Sequence, residues 1–101
     1  MKIVNEAEYR EIVKNGYTLV DFFADWCGPC KMLIPVLESL DNEYPDVDFI
    51  KVNVDAESNL AREMGIMSIP AVYFFKDGEV KAKFVGYQPA AKIKEFIANN
   101  R

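Results

Sequence analysis

Histidine is absent from all 101 residues. That excludes Ser-His and Cys-His nucleophilic pairs and every metal site built on imidazole. Cysteine is nearly absent: there are two, Cys27 and Cys30. A secreted scaffold stapled by disulfides would carry several at longer spacings. No apolar run approaches the roughly 18 residues of a membrane span, so no membrane partner is expected. The amino terminus, Met1-Lys2-Ile3-Val4-Asn5-Glu6, reaches charges before any apolar signal core can form, and the expected location is cytoplasmic. Positive charge is scarce too. Twelve Lys and Arg stand against 16 Asp and Glu, a net charge of −4, whereas a nucleic-acid surface calls for the opposite balance. No nucleic-acid partner is expected, and the mild acidic excess serves solubility. No Gly-x-Gly-x-x-Gly run is present to hold NADPH or a flavin, so no bound cofactor is expected.

What remains is one domain, residues 1–101, with half its residues apolar and a generous aromatic supply of seven Phe, five Tyr and one Trp. A chain of this length supports one hydrophobic core, and a monomer is the expected state. Lys2 to Val4 reads as a short strand. Asn5 and Glu8 form a capping-box pattern ahead of a helix over Ala7 to Lys14, which Asn15-Gly16 ends. Thr18 to Ala24 is an apolar run of the kind buried on both faces of a sheet. Met32, Leu33, Val36, Leu37 and Leu40 recur at helical spacing up to about Tyr44, with Pro35 expected to kink that helix. Strands follow at Asp48 to Val54, Ala71 to Phe75 and Val80 to Val85, with a short helix from Ser58 to Met64. Asp77-Gly78 marks a hairpin. Ile93, Phe96 and Ile97 make one face of a closing helix. The order β-α-β-α-β-α-β-β-α implies an α/β fold. Its central mixed five-stranded sheet is flanked by four helices, parallel where helices intervene and antiparallel at the final hairpin.

The chemistry concentrates in Cys27-Gly28-Pro29-Cys30, where the buried strand meets a helix N-terminus. Spacing of i,i+3 on a helical turn brings two thiols within reach of a disulfide. The helix N-terminus favours thiolate over thiol through its partial positive charge and unpaired N–H groups. Cys27 falls just outside the helix and reads as the exposed attacking sulfur, with Cys30 the sheltered resolving one. Gly28-Pro29 reads as a surface turn, against an inert buried pair. The competing reading is half of a zinc site. Zinc takes four ligands, and two thiols without imidazole would need a second copy of the chain.

Asp21-Phe22-Phe23-Ala24-Asp25-Trp26-Cys27-Gly28-Pro29-Cys30-Lys31 resembles the active-site segment of the thioredoxin family. The similarity continues through Pro35, Lys51-Val52-Asn53-Val54-Asp55, Gly65-Ile66, Ile69-Pro70, Gly78 and Gly86, covering in effect the whole chain. The resemblance implies the thioredoxin fold and a protein disulfide reductase that cycles between a Cys27/Cys30 dithiol and disulfide. It implies disulfide-containing client proteins as substrates and a separate thioredoxin reductase as the recharging partner.

On its residues alone, Asp21 could face solvent at a strand end or lie buried. The resemblance implies burial beneath Cys30 and a proton-shuttle role, for which burial raises the pKa towards neutrality. Lys51 reads alone as a solvated strand residue, and the resemblance implies that it tunes Asp21. Ile69-Pro70 is implied to carry a cis bond packed against the cysteines. Trp26, Gly28, Pro29, Ile69, Pro70 and Gly86 are implied to form the client-binding rim, with Ile69 offering backbone groups to an extended segment. Three positions depart from the common pattern: Phe23 replaces a frequent tryptophan, Met67 a frequent basic residue and Tyr87 a frequent small one. An oxidase or isomerase on the same fold, or a non-catalytic module using the same rim, are the rival functions.

Overall fold

Alternation along strand β2 (Tyr17–Phe23) sorts the protein into two layers. In the computed structural model, which describes residues 1–101, Val20 and Phe22 join the core on one face of the sheet and Leu19 joins the core on the other. A side-chain period of two then puts Asp21 and Phe23 on the Leu19 face. Every residue from Thr18 to Phe23 is buried, because β2 sits at the centre of the sheet with helices over both sides.

Four further strands complete that sheet: β1 (Lys2–Ile3), β3 (Val47–Asn53), β4 (Ala71–Lys76) and β5 (Glu79–Val85), in the order β1-β3-β2-β4-β5. β1 and β2 both run parallel to β3, while β4 is antiparallel to β2 and β5 to β4. This is the expected mixed five-stranded sheet with four helices. Helices α1 (Glu6–Ile12) and α3 (Ser58–Glu63) bring Tyr9 and Leu60 against Val20, Phe22, Val52 and Tyr73. Helices α2 (Gly28–Asp41) and α4 (Ala90–Asn100) bring Leu33, Leu37, Ile93 and Ile97 against Leu19, Phe49 and Phe74.

The elements lie where the pattern of apolar and turn residues places them, with shifted ends. Asn5 accepts from the Glu8 N–H and its own N–H donates to the Glu8 carboxylate, closing the expected capping box. α1 stops at Ile12 and α2 at Asp41, short of Lys14 and Tyr44. For α2 the cause is Pro45, which disfavours helical backbone at Tyr44. α2 runs on through Pro35, whose missing N–H leaves the Lys31 carbonyl without an intrahelical partner. Ala24 leaves the sheet because its carbonyl accepts from the Cys27 N–H at 3.2 Å, making the turn that starts α2. In the hairpin, Asp77 and Gly78 both hold positive φ, 48° and 86°, the conformation a two-residue turn between twisted strands needs. β5 carries a bulge: Phe74 pairs with Ala82 and Phe75 with Val80, so Lys81 is the extra residue.

Candidate active site

α2 begins at Gly28, so Cys27 is its N-cap and Cys30 its third residue. Cys27 holds extended backbone, and its sulfur accepts the Cys30 N–H at 3.2 Å, as a serine or aspartate cap would. The cysteines are joined as a disulfide with their Cα atoms 5.2 Å apart. The same N–H that caps the helix is placed to hold a negative charge on Cys27 once the bond is reduced.

Burial corrects one expectation. Cys27 is not openly exposed: 4% of its surface reaches solvent, against none for Cys30, while Gly28 and Pro29 between them are exposed. The turn is on the surface, as its residues suggested, but the sulfurs point inward. They pack with Phe23, Ala24, Val54 and Ile69, and the Ile69 carbonyl oxygen lies 3.8 Å from the Cys27 sulfur. The order of exposure is the expected one; its size is much smaller.

Asp21 is fully buried and neither carboxylate oxygen has a hydrogen-bond partner. Its position follows from register. It lies on the α2 face of β2, between Leu19, which packs under Leu33, and Phe23, which packs under Cys30. Burial pushes its pKa up to about 7, opposed by the positive charge of Lys51. Lys51 is its direct neighbour on parallel strand β3, so the two side chains share one face. Lys51 makes no ion pair with Asp21. Its ammonium lies over the Phe23 ring, 5.4 Å from the centroid.

The remaining candidate residues gather around the sulfurs. The Ile69–Pro70 bond is cis, and Pro70 is buried with Ile69 partly covered beside Cys27. The Pro70 carbonyl accepts the Gly86 N–H at 2.8 Å, which ties the end of β5 to this corner. Gly86 holds φ of 91°, a left-handed conformation that disfavours any side chain, and the space where a Cβ would stand is open. Trp26 is 71% exposed beside the cysteines, with its indole N–H donating to the Asp55 carboxylate at 2.8 Å. Met67 and Tyr87 are also exposed, Met67 almost completely.

Known proteins share this arrangement over the full length. The thioredoxin family model matches residues 1–99. The chain belongs to the thioredoxin family. A thioredoxin of Chlamydia muridarum is 40% identical over 101 residues, spanning 100% of this chain and 99% of that protein. One of Staphylococcus haemolyticus is 43% identical over 95 residues, 93% of this chain and 91% of its own length. Among solved structures, Plasmodium falciparum thioredoxin superposes with a TM-score of 0.92 at 35% identity, covering 100% of both chains. The oxidised mitochondrial thioredoxin 3 of Saccharomyces cerevisiae gives 0.86 at 38% identity, over 97% of this chain and 93% of that one. Thioredoxins are thiol–disulfide oxidoreductases, and Cys27–Cys30 is the dithiol–disulfide pair of this one.

Two residues of this thioredoxin site escape the sequence reading. Asp55 anchors Trp26 across 29 positions. Asn53 in turn fixes Asp55, its side-chain oxygen accepting the N–H groups of Asp55 at 2.8 Å and Ala56 at 3.2 Å. Asparagine two residues before an aspartate is a local turn signal that could have been read at Asn53, which the strand assignment of Asp48 to Val54 passed over. Its consequence for Trp26 was not, since nothing local links the two segments.

Proposed function

We propose that this thioredoxin acts as a reductant of client disulfides, with Cys27 as attacking and Cys30 as resolving residue. The Cys27 thiolate attacks one client sulfur. A mixed disulfide forms, and the other client sulfur leaves as thiolate and takes up a proton. Asp21, ionised, accepts the Cys30 proton through the buried space between them. The Cys30 sulfur then bonds to Cys27, breaking the Cys27–client bond, and the client leaves fully reduced. Two electrons have passed to the client, and the protein holds its own disulfide. A thioredoxin reductase returns those electrons. Lys51 tunes Asp21, while Trp26, Gly28, Pro29, Ile69, Pro70 and Gly86 form the rim on which the client segment lies. The protein works as a single domain and monomer in the cytoplasm.

The observation that carries the assignment is the cap geometry. Cys27 alone combines some solvent access with a backbone donor on its sulfur, whereas Cys30 is sealed. Serine variants test it. Cys30→Ser should attack clients and stall, accumulating mixed disulfides visible on non-reducing gels. Cys27→Ser should trap nothing and reduce nothing. Trapping by Cys27→Ser alone would reverse the two roles, and full insulin-reducing activity in both variants would remove the pair from the reaction.

A further inference from the structure

Asp21 and Lys51 are adjacent in register on one face of the sheet, Asp21 fully buried and Lys51 partly so. Opposite charges so placed would ordinarily close into an ion pair, because attraction between them is stronger in the protein interior than in water. They have not closed. Neither carboxylate oxygen of Asp21 has a partner, and the Lys51 ammonium makes no ion pair with any carboxylate. The contact that Lys51 does make is with the face of Phe23, at 5.4 Å from the ring centroid. Phe23 is itself buried, at 4% exposure, and is two residues along β2 from Asp21, so its ring and the carboxylate project side by side.

We propose that Phe23 is a positioning residue for the thiol–disulfide reaction: its ring holds the Lys51 ammonium within Coulomb reach of Asp21 but out of hydrogen-bonding contact. This rests on the reading of Asp21 as the base that takes the Cys30 proton. A carboxylate locked to an ammonium is a poor base, because its proton affinity falls far below neutrality. A buried carboxylate with no cation nearby is a base that stays protonated at neutral pH. The aromatic face gives Lys51 an intermediate station, where cation–π attraction replaces part of the lost hydration. No other charged side chain competes. Val72 stands opposite Asp21 on β4, the buried residues of α2 over this face include the uncharged Leu33 and Leu37, and Lys51 is the one charge that acts on it.

The test is a titration of the Asp21 carboxyl carbon by NMR in the oxidised protein, where the thiols do not titrate. Four proteins are compared: the parent, Phe23→Leu, Lys51→Met and the double variant Phe23→Leu/Lys51→Met. Loss of the ring should let Lys51 close on Asp21. The Phe23→Leu midpoint should therefore move to lower pH by about one unit or more, a tenfold change in the ratio of ionised to protonated carboxyl at fixed pH. Lys51→Met should move it to higher pH. In the double variant the ring has no ammonium left to hold, so its midpoint should equal that of Lys51→Met. Phe23→Tyr keeps an aromatic face and should keep the parent midpoint, which separates the ring from packing alone. An unmoved midpoint in Phe23→Leu would overturn the proposal. So would an equal shift from Phe23→Leu with and without Lys51, since that shift would come from burial. The base role itself is read separately, from the pH dependence of mixed-disulfide resolution in the parent and Asp21→Asn. If that limb survives Asp21→Asn the base assignment fails, while the carboxyl midpoints still decide what Phe23 does.

Discussion

Asp21 shows how a single buried side chain ties stability to pH. Its folded pKa stands at about 7 because burial disfavours the ionised form more than Lys51 favours it. In the unfolded chain the same carboxyl ionises near its ordinary value of about 4. Below that value both states hold the proton, and burial of the neutral acid is tolerated in full. Between about pH 4 and the folded pKa the folded state keeps a proton that the unfolded state has released, so stability falls as pH rises. Above the folded pKa the loss is complete. At about 1.4 kcal/mol per unit, the total is on the order of 4 kcal/mol. Asp21→Asn should abolish this dependence. Urea unfolding from pH 5 to 9 should show the variant increasingly more stable than the parent, by about 4 kcal/mol at the alkaline end. Parallel curves for the two proteins would mean that Asp21 does not carry this burden. The price of that carboxylate is consistent with a group retained for its proton.

At the scale of the elements, local chemistry was legible and tertiary placement was not. Asn5 with Glu8, Asp77 with Gly78 and the apolar spacing of Leu33, Leu37 and Leu40 each act within a few residues, and each produced the structure expected. The cap can be checked directly. Asn5→Ala removes the acceptor for the Glu8 N–H and should destabilise the protein by about 1 kcal/mol, read as a lower urea midpoint with unchanged slope. Asp21 was ambiguous for a physical reason. Periodicity tells which residues share a face of a strand, but in a strand covered on both sides it does not mark the exposed end. The facing of Asp21 and Lys51 depends on parallel register across a helix crossover. The bulge at Lys81 and the bond from Trp26 to Asp55 likewise arise from long-range pairing. Cys27 was expected to be open because Gly28-Pro29 is a surface turn. The cap geometry explains the difference: an N-cap side chain turns back towards the helix to accept from its first turn.

The whole molecule sets the direction of electron flow. A thiol–disulfide protein becomes a strong oxidant when its reduced form is unusually stabilised. Here the Cys27 sulfur has one backbone donor, the Cys30 N–H, together with the start of α2. Gly28 and Pro29 add no side-chain donor, and the molecule contains no histidine. Its net charge of −4 supplies no positive field to compensate. Such a centre donates electrons to client disulfides and does not draw them. The most direct test is the reduction potential of Cys27–Cys30, by equilibration in a series of glutathione buffers. The fluorescence of Trp26, the single tryptophan and the neighbour of Cys27, should report the redox state. The account predicts a midpoint at or below that of glutathione, so that a substantial disulfide fraction persists at cytosolic poise and strongly reducing buffer is needed to complete the dithiol. Each 30 mV is about 1.4 kcal/mol between the two forms. A midpoint far above glutathione, with the pair wholly dithiol at cytosolic poise, would contradict the assignment as a reductant.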